Sequence, residues 1–205
     1  HFLVGEGAAR RVAIPPEAMP ANASGARIDP APWNRLDGFS PMTTMMARVR
    51  GQLDGTGLPG WRDPAPSLAP ASPTILYDAT AGARLAHFAE IEPASDDPAH
   101  TVLYVRPAVR LPAGHHLVVA LRDLRDTMGA PIEPEPSFVA LRDGAADAPA
   151  PVLARRESFM RDVLEPLDAA GVDRGSLVLA WDFWTATDDA LTGDLVSMRD
   201  AALAS

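Results

Sequence analysis

The residues able to do chemistry are few, and histidine comes first among them. His115 and His116 are adjacent. On a strand, neighbouring side chains point to opposite faces, so the two cannot ligate one metal without a bend, and the pair fits a strand that begins beside a turn. His87 falls on an apolar face and is expected to be partly buried with a hydrogen-bond partner, while His100 follows the acidic loop Ser95-Asp96-Asp97 and can pair with it. A hydrolytic triad from one of these histidines, an aspartate and a serine such as Ser40 is conceivable, because triads are defined by arrangement rather than order. The chain nevertheless has no activated-serine context and no glycine-lined oxyanion loop. The carboxylate pairs Asp96-Asp97 and Asp188-Asp189 fall in a loop and at a helix start, where solvation and capping account for them. Asp123 and Asp126 flank a hairpin, where turn chemistry suffices, and the Asn22-Ala23-Ser24 sequon is short enough to arise by chance.

The tryptophans point to contact rather than catalysis. Trp181 and Trp184 lie three apart on one expected strand, hence on opposite faces, with Asp182 between them. A strand apolar on both sides requires cover on both. One face is expected to bury against a sandwich or against a helix carrying Phe159, and the other, bearing Trp184, to meet another domain, with an ordinary core tryptophan as the alternative. Trp181, Asp182 and Trp184 are therefore the candidate interdomain contact, and no residue is assigned a catalytic, cofactor-binding or metal-binding role. Trp33 and Trp61 each sit in a proline-rich stretch, where they either stack on a sugar or pin a loop to the body by burial; burial is the expectation.

The elements that must hold these residues follow from periodicity. Between Ser72 and Asp123 the pattern is β: Thr74 to Asp78, then Arg84 to Glu92 with Leu85, His87, Ala89 and Ile91 on one face, then Thr101 to Val105 and His115 to Arg122. Met42 to Val49 is a further strand candidate of ambiguous period. The intervening gaps are too short for crossover helices, so the strands pair antiparallel, as a meander or Greek-key sandwich. Asp143 to Pro151 is a connector at which the period changes. Phe159, Val163 and Leu167 then form a helical stripe that Pro166 should kink or split, and Gly171 is placed for a left-handed Schellman cap. Ser176 to Thr185 reads as a buried strand. Asp188 is placed to cap a last helix with Leu191, Leu195, Met198 and Ala202 on one face. The expected organisation is a β-sandwich with a Pro/Gly-rich N-terminal segment over 1–150 and a helix-strand-helix appendage over 151–205.

Composition sets the outer bounds. The chain has 205 residues, 47% hydrophobic and 22% charged, within the range of globular domains, and long enough to bury a core without metal or disulfide staples. Its lack of cysteine removes thiolate zinc sites, disulfides and thiol nucleophiles together. The 18 basic residues are all arginine and face 27 acidic ones, a net charge of −9 that repels a phosphate backbone and argues against nucleic acid as a partner. No apolar run reaches the ~18 residues of a membrane-spanning helix. The start at His1 without methionine suggests a mature or truncated product.

The run from Arg106 to Ile132, with Arg-Leu-Pro-Ala-Gly leading into a strand that ends in Asp-Thr-Met-Gly-Ala-Pro, resembles the bacterial Ig-like repeat. Trp33-Asn-Arg-Leu-Asp-Gly-Phe-Ser-Pro41, Ile75 to Arg84 and Gly171 to Phe183 extend the likeness. In that order these motifs resemble the N-terminal half of exported bacterial virulence-factor lipase-like proteins, in which this region precedes an α/β-hydrolase domain. The resemblance covers about Trp33 to Ala202. It implies an Ig-like sandwich without catalytic residues or cofactor, a hydrolase-like domain of the same polypeptide as partner, and a place outside the cytoplasm, in the periplasm or at the cell surface. Two positions depart from the family pattern: His116 stands where an aromatic such as tyrosine is usual, and Trp184 where a small polar residue is usual. The Gly-x-Ser-x-Gly elbow of such hydrolases does not occur in these residues. The alternatives are an independent adhesion or carbohydrate-binding module and, third, a small metal-dependent enzyme using the histidines.

Overall fold

The computed structural model describes residues 2–93, 97 and 99–204. In chain order the strands are β1 (Leu3–Val4), β2 (Arg11–Val12), β3 (Met45–Arg50), β4 (Thr74–Asp78), β5 (Ala83–Arg84), β6 (His87–Ile91), β7 (His100–Pro107), β8 (His116–Arg122) and β9 (Leu177–Trp184). The helices are α1 (Ala31–Asn34), α2 (Pro136–Asp143), α3 (Ala150–Leu153), α4 (Arg156–Phe159), α5 (Glu165–Ala169) and α6 (Asp188–Leu203). The fold is mainly β, in antiparallel sheets with helices added. The chain divides into two compact units made of discontinuous segments: Met42–Arg110 with Leu117–Asp182, and His1–Pro41 with Leu111–His116 and Phe183–Ser205.

The first of these units is built on two sheets, ordered β3-β7-β6 and β5-β4-β8-β9. In the three-stranded sheet Ala47 pairs with Leu103 and Leu103 with Ile91. Met45, Ala47 and Val49 alternate inward along β3, as do Thr101, Leu103 and Val105 along β7. The ambiguous period before Val49 has a simple cause: Met46 is apolar yet points outward. In the four-stranded sheet Leu76 pairs with Val119, and every residue of β4 and of Leu117–Leu121 is buried. That requires cover on both faces. On one face Ile75, Tyr77, Val118 and Ala120 pack in a cluster with Leu177 and Ala180 of β9, with Phe138 of α2 and with Val163, Leu164 and Leu167. On the other, Thr74 Oγ1 lies 2.9 Å from His87 Nε2, so this face turns toward the three-stranded sheet and the helices form an outer layer.

Pro166 splits its helix as its chemistry demands. It offers no amide donor, and its ring crowds the preceding turn. The chain answers with a π turn over Met160–Leu164 between α4 and α5, in which the Glu165 N–H reaches back to the Met160 carbonyl. Phe159 packs edge-on against Phe138 with ring centroids 5.9 Å apart. Beyond α5, Gly171 adopts φ +73°, its N–H bonds the Asp168 carbonyl, and the Val172 N–H bonds the Leu167 carbonyl at 2.9 Å, the two bonds of a Schellman cap.

Two expectations are corrected. The cap of α6 is Thr187, one residue before Asp188, with the Thr187 side chain accepting from the Ala190 N–H. Asp188 and Asp189 instead occupy the first turn, where the helix dipole favours carboxylates. Trp33 and Trp61 do not pin loops by burial: they are 44% and 64% exposed. The prolines around them confine the backbone to a single short turn of helix and to a tight turn closed by the Gly60–Asp63 bridge, which leaves each indole facing outward. The Arg62 guanidinium lies 5.0 Å from the Trp61 ring.

Candidate functional site

Of the three residues expected to form an interdomain contact, Trp184 carries the densest set of interactions. It ends β9, whose residues Trp181, Asp182 and Trp184 are all half-buried. The Arg10 guanidinium lies 3.8 Å from the centre of its indole, and the His116 imidazole stacks on it at 4.9 Å with an interplanar angle of 18°. His116 and Trp184 therefore touch each other.

The backbone around this ring is strapped from both sides. The Thr185 N–H donates to the His115 carbonyl at 3.0 Å, while Phe39 pairs in parallel with Thr185: the Phe39 N–H donates to the Trp184 carbonyl and the Ala186 N–H to the Phe39 carbonyl, each at 2.8 Å. Thr185, fully buried, donates its hydroxyl to the Pro112 carbonyl and accepts from the His115 N–H. Gly38 permits the approach, because a Cβ there would fall 2.5 Å from the Thr185 carbonyl carbon and oxygen. Phe39 and Phe183 meet edge-on at 6.4 Å.

A second strap runs through Asp37. Its carboxylate accepts from the Thr187 N–H at 3.0 Å and from the Thr187 hydroxyl at 2.7 Å, and its carbonyl accepts from Arg10 Nε at 2.9 Å. Thr187 thus donates to Asp37 and accepts from the first turn of α6. Burial pushes the Arg10 guanidinium below its ordinary value and the nearby Asp37 pulls it back up; arginine stays charged over any ordinary pH, so the indole carries a permanent cation. Chemically this is a clamp: a cation, an imidazole and a carboxylate hold the N-terminal segment, the end of β9 and the start of α6 in one geometry. Sequence reasoning missed Arg10, Asp37 and Gly38. Only Thr187 left a local signal, a threonine ahead of two acids and an apolar helical stripe.

The other candidates disperse. His87 is fully buried, with Nδ1 2.9 Å from the Leu85 carbonyl and Nε2 2.9 Å from the Thr74 hydroxyl. Burial pushes its imidazole below the ordinary value. His100 Nδ1 sits 3.0 Å from Asp97 and 2.8 Å from the Arg48 guanidinium. Arg48 is the main cause that holds the Asp97 carboxyl down at about 2. Ser95 and Asp96 lie outside the described residues. Asn22 folds its amide oxygen onto the Ser24 and Ala26 N–H groups in a turn, and Asp126 does the same for Met128 and Ala130. Among the described residues no three His, Asp or Glu side chains are grouped to hold a metal ion, and no helix is long and apolar enough to cross a membrane. No family model matches the chain, and neither a curated protein nor a solved structure matches it.

Proposed function

We propose that the chain is a non-catalytic scaffold of the Ig-like kind found at the N-terminus of exported bacterial lipase-like proteins. In this reading it presents a rigid face to an α/β-hydrolase domain of the same polypeptide. The observation that carries the reading is α6. This helix of 16 residues has no buried side chain, yet exposes Leu195 at 67%, Met198 at 68% and Leu203 at 80%. Isolated helices of this length are marginal in water, and most helical stability comes from packing an apolar stripe. A covering partner supplies that packing. Asp188, Asp189, Asp194 and Asp200 outnumber the single Arg199 on the helix, so the partner surface is apolar with a basic rim. The clamp around Trp184 fixes where the helix starts, which gives the docking face a defined origin. The resemblance in motif order from Trp33 to Ala202 supports a hydrolase-like partner and a location outside the cytoplasm.

The test is an ester-hydrolysis assay on residues 1–205 beside the native polypeptide, with turnover expected only from a chain that includes a hydrolase domain. Turnover by residues 1–205 that is lost on replacing His100 or His115 overturns the reading. One observation favours a second reading, an independent carbohydrate-binding or adhesion module: the exposed indoles of Trp33 and Trp61 offer flat apolar faces of the kind sugars stack on. An intact mass near 21.7 kDa from the native source supports that module, and a much larger mass supports the scaffold.

A further inference from the structure

Two arginines of the four-stranded sheet reach one turn with a single carboxylate partner between them. Arg84 on β5 donates through Nη1 to the Ala69 carbonyl at 2.9 Å, and Arg122 at the end of β8 donates through Nη1 to the Pro70 carbonyl at 3.3 Å. Ala69 and Pro70 are consecutive, their Cα atoms ~3.8 Å apart, and the turn is closed by the Ser72 N–H on the Ala69 carbonyl. Two guanidinium groups are therefore hung from neighbouring carbonyls of one tight turn. Arg122 also donates through Nε to the Asp123 carboxylate at 3.0 Å. Arg84 has no carboxylate partner among the described residues, and only one of its five N–H donors is engaged there.

The electrostatics oppose this arrangement. Burial lowers the Arg84 guanidinium from its ordinary value, and the charge of Arg122 lowers it further. In a chain of net charge −9, a half-buried cation set beside another cation while acidic groups abound elsewhere is held by the backbone rather than by charge pairing. What would relieve the repulsion is an anion with several acceptor oxygens, because planar guanidinium forks match such oxygens two at a time. With Asp123 counted, the cluster keeps one net positive charge.

We infer that Arg84 and Arg122, held on the Ala69-Pro70 turn, form a binding site for a phosphate-type oxyanion, taken either as free phosphate or as the phosphate of a lipid headgroup. The remaining donors of Arg84 and the Nη2 group of Arg122 are the binding groups, and Asp123 orients Arg122 from its far side. The site stands apart from the scaffold reading and does not depend on it.

The experiment follows the Arg84 and Arg122 Nε resonances of the wild-type chain during titration with inorganic phosphate, against chloride at equal ionic strength. A parallel arm pellets the protein with phosphatidylglycerol vesicles and, for comparison, with phosphatidylcholine. Saturable phosphate-specific shifts of both resonances, or selective pelleting with phosphatidylglycerol, are expected, and the arm that responds names the source. Arg84→Gln and Arg122→Gln should each weaken the response roughly ten-fold or more, whereas Arg62→Gln should leave it unchanged. Silence of both Nε resonances together with equal pelleting on the two vesicle types overturns the inference, as does a response that survives in Arg84→Gln. The wild-type resonances report on the site even where a variant fails to fold.

Discussion

Gly38 and His87 show how single side chains set limits on this molecule. Replacing Gly38 by alanine would put a methyl carbon 2.5 Å from the Thr185 carbonyl and 2.6 Å from the Ala186 nitrogen, all backbone atoms that cannot swing aside. Gly38→Ala is expected to lower stability by about 1–3 kcal/mol, the range for overpacking, with loss of amide protection at Phe39 and Ala186 in hydrogen exchange. His87 makes a prediction in pH. Its folded value lies below the ordinary 6.5 because burial disfavours the imidazolium. The unfolded chain therefore takes up a proton below about 6.5 that the folded chain refuses, so the stability contribution is complete above that pH and declines as pH falls toward the folded value. Urea midpoints should drop between pH 7.5 and 5.5, and His87→Leu should flatten that slope. A histidine on an apolar face was legible as a bonded core residue from alternation alone. Its partner Thr74 was not, because the bond joins strands of two different sheets.

At the scale of elements, local signals carried far. The spacing of Phe159, Val163 and Leu167, the break at Pro166 and the ending at Gly171 all correspond to features of the structure, because each is dictated by neighbours a few residues away, whereas the one strand expected over Arg84–Glu92 is two, β5 and β6, which belong to different sheets. Gly171 gives a clean contrast with Gly38. Its φ is +73°, yet a Cβ there would meet nothing within 4 Å, so Gly171→Ala should cost only the strain of a left-handed alanine, about 1–2 kcal/mol, read from the thermal or denaturant midpoint. The cap of α6 was misplaced by one residue because threonine followed by two aspartates offers three plausible caps in a row; the Asp37 carboxylate that binds Thr187 lies far away in sequence. Trp33 and Trp61 escaped for a different reason. Hydrophobic character predicts burial only where the backbone can turn the side chain inward, and proline-dense segments remove that freedom.

For the molecule as a whole, surface character makes the prediction. Leu195 and Met198 are mostly exposed, so Leu195→Glu with Met198→Glu should leave the melting of residues 1–205 nearly unchanged, within about 0.5 kcal/mol per site. The same pair should weaken association with a hydrolase-like domain added in trans, measured by sedimentation. Assembly of the units from separated segments was beyond a linear reading, since Arg10, Asp37, His116 and Trp184 share no periodicity and meet only after the chain has returned on itself. The Asp37–Thr187 strap has a further bearing on biogenesis. The segment up to Pro41 is made well before its binding partners at Phe183 to Thr187. Contacts of such long sequence separation form late. Until the later segment is made, the Asp37 carboxylate and the Phe39 backbone lack these partners and stay open to chaperones.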